Sequence, residues 1–266
     1  LDLDAIRQQI TGKTKMAIFQ RSRGYSWRPS LTVGELAAGI RAVREANPDC
    51  IVFVDNCYGE FVESIEPLEA GADLIAGSLI KNPGGALAIA GGYIAGRQDL
   101  VDLCAEVLTA PSLGAKLGTS FGLARSLLQG LFIAPHIVGE AVYGAMLAAE
   151  VFRTLGYEVS PLPDEPRTDI VQAIKFGSKE ELLSFCRGVQ KAAPVDAHFL
   201  PMPSPMPGYT DEVVMAGGTF VQGSSIELSA DGPLREPYIG YLQGGMSRQH
   251  VEITLRIVLQ EMGLAN

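Results

Sequence analysis

IVFVDNCYGEFVESIEPLEAGADLIAGSLIKNPGG, residues 51–85, holds two apolar runs that each end on a charge. Ile51 to Val54 ends on Asp55, and Leu74 to Ile80 ends on Lys81, followed by Asn82-Pro83-Gly84-Gly85. Continuous apolar runs of this length, rich in Val and Ile, read as strands of a parallel sheet covered on both faces. In such sheets the carboxyl ends of the strands line the ligand crevice. The spacing therefore predicts an acid and an amine projecting into one crevice.

That pair has a chemical use. A lysine amine condenses with a carbonyl to give a Schiff base, and pyridoxal phosphate (PLP) is the common carbonyl cofactor. An aspartate against the pyridine nitrogen favours its protonated form, which makes the ring an electron sink. Taken singly, each residue has a plainer reading: Asp55 as the cap of the following turn, Lys81 as a solvated strand-end lysine.

The wording around the pair goes further. VDN-x-x-x-E-F (54–61), PLEAGADL (67–74) and GSLIKN (77–82) resemble fold-type-I PLP enzymes of cysteine and methionine metabolism. More closely, they are similar to the methionine γ-lyase-related group labelled aluminium resistance proteins. The resemblance implies an α/β, aspartate aminotransferase-like fold. Residues 1–155 would be the C-terminal part of the PLP-binding large domain, with a parallel-rich sheet. Residues 156–266 would form a smaller C-terminal α+β domain.

The resemblance also implies roles. Lys81 is the Schiff-base lysine, Asp55 pairs with the pyridine nitrogen, Ser78 binds the cofactor phosphate and Tyr58 contacts the cofactor. Ile80 stands where γ-lyase relatives often carry Thr. The relatives have a segment much like RSRGYS (21–26) near the cofactor, which makes Arg23 and Tyr25 site candidates. Fold-type-I enzymes take the arginine for the substrate carboxylate from the small domain, where a planar fork binds both oxygens. Arg235 is the candidate and Arg248 the alternative. An ion pair with Asp231 or Glu236 is the structural reading of Arg235. Complete relatives extend further at the N-terminus, with the ring-stacking aromatic and phosphate-binding amides in that segment.

The implied reaction is β- or γ-elimination at a carbon–sulfur bond of an amino-acid substrate in a homodimer or homotetramer. An aminotransferase shares all these parts, and a non-catalytic α/β module without cofactor is the third reading.

Composition sets the bounds. The chain has 266 residues, 47% of them hydrophobic, with 30 glycines and a net charge of −9. This is enough for a sizeable core, and the acidity argues against nucleic acid as a partner. Cys50, Cys57, Cys104 and Cys186 show no CxxC spacing, which suits a reducing compartment, so a cytoplasmic protein is expected. Cys57 reads as a small buried apolar residue. His136, His198 and His250 have no metal-site spacing. The most apolar run, Leu131–Phe152, is interrupted by Pro135, His136, Glu140 and Glu150. A membrane span needs roughly 20 apolar residues, so no membrane association is expected.

Along the chain, helices are predicted over 1–12, 32–46 and 98–108, with a Thr32/Glu35 capping box on the second. TKMAIFQ (14–20) reads as a strand, Glu60–Ala70 as a second crossover, and 88–95 as a strand after the glycine-rich turn. A long helix is predicted to start at Pro135 and stop at Gly156. Pro161, Pro163 and Pro166 mark a linker. Ile170–Lys175 reads as a strand, and Ser178 with Glu181 caps a helix. Residues 212–228 read as a hairpin turning at Gly217-Gly218, and Ser247 caps the last helix.

Overall fold

The computed structural model describes residues 1–108, 111–116, 118 and 121–265. After α1 (Leu3–Gln9) the chain enters β1 (Met16–Gln20), and α2 (Val33–Ala46) crosses over to β2 (Ile51–Asp55). β3 (Leu74–Ser78) follows, and β4 (Gly92–Gly96) closes a four-stranded sheet of order β1-β2-β3-β4. The first three strands are parallel and β4 is antiparallel to β3.

The local chemistry of α2 is as expected. Thr32 Oγ1 accepts from the Glu35 amide and the Glu35 carboxylate accepts from the Thr32 amide, a reciprocal cap. Its stripe of Leu36, Ile40 and Val43 packs with Phe19, Val52, Val54 and Ile75 in one core cluster. Each such side chain contributes about 1.5–3 kcal/mol by leaving water.

α3 (Gln98–Leu108) leads to α4 (Ala124–Thr154), a helix of 31 residues. Here the expectation needs correcting, because Pro135 lies inside α4 and does not start it. Proline removes one backbone donor and normally kinks a helix. Packing of the preceding turns holds this segment helical. A Cβ on Gly130 would come within 2.2 Å of Gly84 O, so α4 is pressed backbone to backbone against the turn after Lys81. α4 is also the described helix long and apolar enough to cross a membrane by length and composition. Its Ala145, Ala148, Ala149 and Phe152 are buried against protein, as in a core helix.

The second sheet has order β5-β6-β9-β8-β7, antiparallel throughout. Its strands are β5 (Glu158–Ser160), β6 (Val171–Lys175), β7 (Val213–Ala216), β8 (Ser229–Pro233) and β9 (Ile239–Gln243). α5 (Lys179–Lys191), capped by Ser178, covers it together with α4, and α6 (Arg248–Glu261), capped by Ser247, packs on both of these helices.

One sequence reading changes here and two gain detail. A strand, β5, lies just before the prolines of the predicted linker. The 60–70 crossover joins the parallel strands β2 and β3 as expected, through turns. β7 pairs with β8 across a long loop, not within 212–228. Gly217-Gly218 is not a hairpin turn, because a Cβ on Gly218 would sit 1.7 Å from Val195 O. Those glycines permit a close approach between two loops, which sequence alone reads as a turn signal.

Candidate active site

The carboxyl ends of β1 and β2 and the turn after β3 open onto a cavity of about 200 Å³, closed on its far side by β6, β8 and β9. Asp55 is the last residue of β2, and Lys81 lies in the turn three residues beyond β3. Both side chains line this cavity, together with Cys57, Tyr58 and Tyr25.

Lys81 is held by its surroundings on three sides. Its amide donates to Ser78 O at 3.2 Å, and the next residues form a 3-10 turn, Asn82–Gly84. A Cβ on Gly84 would lie 1.7 Å from Leu79 O, so only glycine closes this turn. Asn82 is fully buried, and its Nδ2 donates to Tyr58 O at 3.0 Å and to Glu60 O at 3.1 Å. The loop after Asp55 is thereby tied to the turn that carries the amine. The Lys81 ammonium sits 4.3 Å from the Tyr58 ring centroid, in cation–π range. Burial alone would lower the Lys81 pKa, but the Tyr58 phenol, Cys57 and Asp55 around it outweigh burial and hold it above the ordinary lysine value.

Asp55 Oδ1 accepts from the Cys57 amide at 3.1 Å, a short turn that places the acid beside the thiol. Burial pushes the Cys57 thiol up to about 11, so it stays neutral. Tyr58 follows in left-handed backbone, φ 72°. Its carbonyl takes two donors, Asn82 Nδ2 and the Ile170 amide at 3.2 Å. Such a non-glycine conformation costs of order 1–3 kcal/mol and is overdetermined by these bonds.

Behind the cavity Arg21 is fully buried. It donates to Asn56 Oδ1 at 2.8 Å and Glu63 Oε2 at 2.7 Å, pairs with Glu66 at 3.3 Å, and reaches Thr168 Oγ1 at 3.3 Å. This network joins the loops after β1 and β2 to the segment that leads into β6.

The remaining candidates separate. Tyr25 belongs to the cavity, its ring 5.2 Å from Tyr209 and 5.5 Å from Tyr241, its hydroxyl on Asp231. Ser78 does not line the cavity. It ends β3 opposite Gly92 and offers its carbonyl to Lys81. Arg23 is buried in a separate cavity of about 300 Å³ with Ser30, Ser160 and Asp169, its Nη2 donating to Ser160 Oγ at 3.2 Å. Arg235 is exposed. It pairs with Asp211 at 3.2 Å, not with Asp231 or Glu236, and donates to Tyr25 O at 2.9 Å, bracing the loop that bears Tyr25. Arg248 pairs with Glu140 at 2.6 Å and holds that carboxyl down to about 2, an arrangement that joins α6 to α4.

Sequence reasoning missed Asp231 and Gln243, which enter the cavity from β8 and β9. The available signal was the acid in SADGP, obscured by the misplaced hairpin.

A cofactor of PLP type fits this donor set. The cavity offers an amine for its carbonyl, a carboxylate for a ring nitrogen and an aromatic face beside the amine.

The chain matches known proteins along its length. A Bacillus subtilis protein, YnbB, is 48% identical over 252 residues, 95% of this chain and 60% of that protein. A structure from Listeria innocua, a candidate cystathionine beta-lyase involved in aluminum resistance, is 51% identical with TM-score 0.94 and covers 98% of this chain and 64% of that one. A carbon–sulfur lyase involved in aluminum resistance from Clostridium novyi NT is 45% identical with TM-score 0.92, covering 98% and 61%. The chain thus spans about three fifths of the length of these relatives. Yeast cystathionine gamma-lyase shares the fold at 15% identity and TM-score 0.64, covering 97% of this chain and 67% of that one. The description of the methionine gamma-lyase family matches residues 1–263, and with these relatives it shows that the chain belongs to that family.

Proposed function

We propose that this chain carries the catalytic lysine of a PLP-dependent carbon–sulfur lyase acting on a thioether amino acid, with Lys81 as the attachment and proton-transfer residue. The observation that carries the reading is that Asp55 and Lys81, from two different strand ends, line one cavity. Family membership supports the lyase class over amino-group transfer.

When bound, the cofactor supplies an electron sink conjugated with the substrate nitrogen. The residues do the rest. Asp55 would hold the ring nitrogen of the cofactor, and its carboxylate would favour the protonated form there. Lys81 Nζ, as a free amine, would take the proton from the substrate α-carbon and return it to the departing thiol. Tyr58 places its ring against Nζ and limits where that nitrogen travels. Because its neighbours hold Lys81 above the ordinary lysine value, the amine is protonated at neutral pH before any carbonyl arrives. Attack on a carbonyl needs the neutral amine, so attachment should speed up with rising pH.

The test is a visible spectrum of the chain with added PLP, then borohydride reduction and mass mapping. A label on Lys81 is expected, with release of a thiol and a keto acid from a thioether amino acid. A label on another lysine, or none, overturns the site. Transfer of the amino group to a keto acid without thiol release overturns the reaction class.

A further inference from the structure

We propose that Asp231 selects the substrate's leaving half, by receiving an ammonium group on it in a second cavity beside the one at Lys81. The inference rests on the lyase reading above and names a residue and a substrate class for it.

The second cavity has a volume of about 440 Å³ and shares Tyr25, Tyr58, Asp231 and Gln243 with the first. A substrate whose α-carbon is held at Lys81 therefore has this space for its longer arm. The walls are hydroxyls and amides, among them Thr219, Ser224, Ser225 and Gln190. Asp231 is the charged side chain among the described residues that line it.

The hydrogen bonding of Asp231 leaves room for a ligand. Its Oδ2 accepts from Gln243 Nε2 at 3.0 Å, and the Tyr25 hydroxyl donates to the same carboxyl. A carboxylate has about four acceptor sites, so capacity remains. Among the described residues it makes no ion pair within 4.0 Å. Ser225, buried and hydrogen-bonded to the Tyr58 side chain, faces the same cavity. Lys81 acts on this carboxyl only from beyond ion-pair distance, and an ammonium from the substrate recovers the cost of burying it through charge-assisted bonds. A methyl group at the same place recovers nothing.

The experiment uses the chain with PLP added and followed by its visible spectrum. It is titrated calorimetrically near pH 8 with L-lysine and L-2-aminoheptanoate, whose side chains differ only in ammonium for methyl. Lysine should bind about ten- to a hundredfold more tightly, the range expected for a hydrogen bond to a charged partner. Asp231→Asn should abolish the preference. Ser229→Lys, which keeps the carboxylate but sets an amine two residues away on the same face of β8, should abolish it as well. Equal affinities in the unaltered chain, or a preference that survives either variant in folded form, overturn the proposal and leave the lyase reading standing. Failure to take up PLP overturns both.

Discussion

Replacing Glu60 by Gln should leave the fold unchanged in mild acid and make it markedly more stable in mild base. Glu60 is 4% exposed. Its Oε1 accepts from the Tyr93 hydroxyl at 2.8 Å, and its Oε2 has no partner. Burial pushes the carboxyl up to about 7 from the ordinary 4.5. The folded state therefore binds a proton that the unfolded chain has already released between those two values. Stability then falls as pH rises through this window and levels off above the folded value. At 1.36 kcal/mol per pH unit the full cost is about 3 kcal/mol, of which about 2–3 kcal/mol develops between pH 5 and pH 8. Glutamine keeps the acceptor for Tyr93 and carries no charge at any pH.

The assay is urea unfolding of both proteins at several pH values, compared as a difference. The comparison cancels the similar contribution of Asp231, whose carboxyl burial raises to about 6. In thermal unfolding the same difference is worth about 5–10 °C in Tm at the basic end, at roughly 2–4 °C per kcal/mol. A difference that stays flat from pH 5 to pH 8 would show that Glu60 is not held in a desolvated site and would refute the reasoning.

Three further outcomes are expected. Arg21→Met should destabilise the chain by about 3 kcal/mol in urea unfolding, because it strips Glu63 and Glu66 of their buried cation. Asn82→Ala should cost about 2–3 kcal/mol by removing two buried bonds and orphaning Glu60 O, and should slow borohydride labelling of Lys81. Gly84→Ala should suppress that labelling more strongly, since its Cβ cannot coexist with Leu79 O and the turn must open.

The first sheet was legible because each of its signals is local. Apolar runs ending on charges gave β2 and β3, and Thr32 with Glu35 gave the start of α2. Asp55 and Lys81 were legible for the same reason, since strand ends in a parallel sheet share one edge. The second sheet was harder. Its strands are short, β5 hides between a glycine and three prolines, and β8 carries Gly232 and Pro233. The glycines that seemed to mark a hairpin answer to a contact with Val195, far away in sequence. Asp231 was lost with that hairpin, since its place in the cavity depends on which strand partners β7. The arginines misled for a different reason. Their fork suits a substrate carboxylate or a protein one equally, and Arg235 and Arg248 found Asp211 and Glu140.

One residue shows why the site needs both halves of the chain. The β2 strand ends at Asp55, and the backbone must then reverse without carrying the acid away from Lys81. Tyr58 makes that reversal in a left-handed conformation. Its carbonyl is claimed by Asn82, from the turn that holds the amine, and by Ile170, at the entrance to β6. Its ring lies under Lys81 and packs on clusters that include Ile170, Ile226 and Tyr241. The first sheet supplies the acid and the amine. The second supplies the donor and the apolar surface that keep Tyr58 in its unfavourable backbone state, and so fix the distance between them. Loosening β6 or β9 should therefore disturb Lys81 reactivity even though neither strand carries the amine.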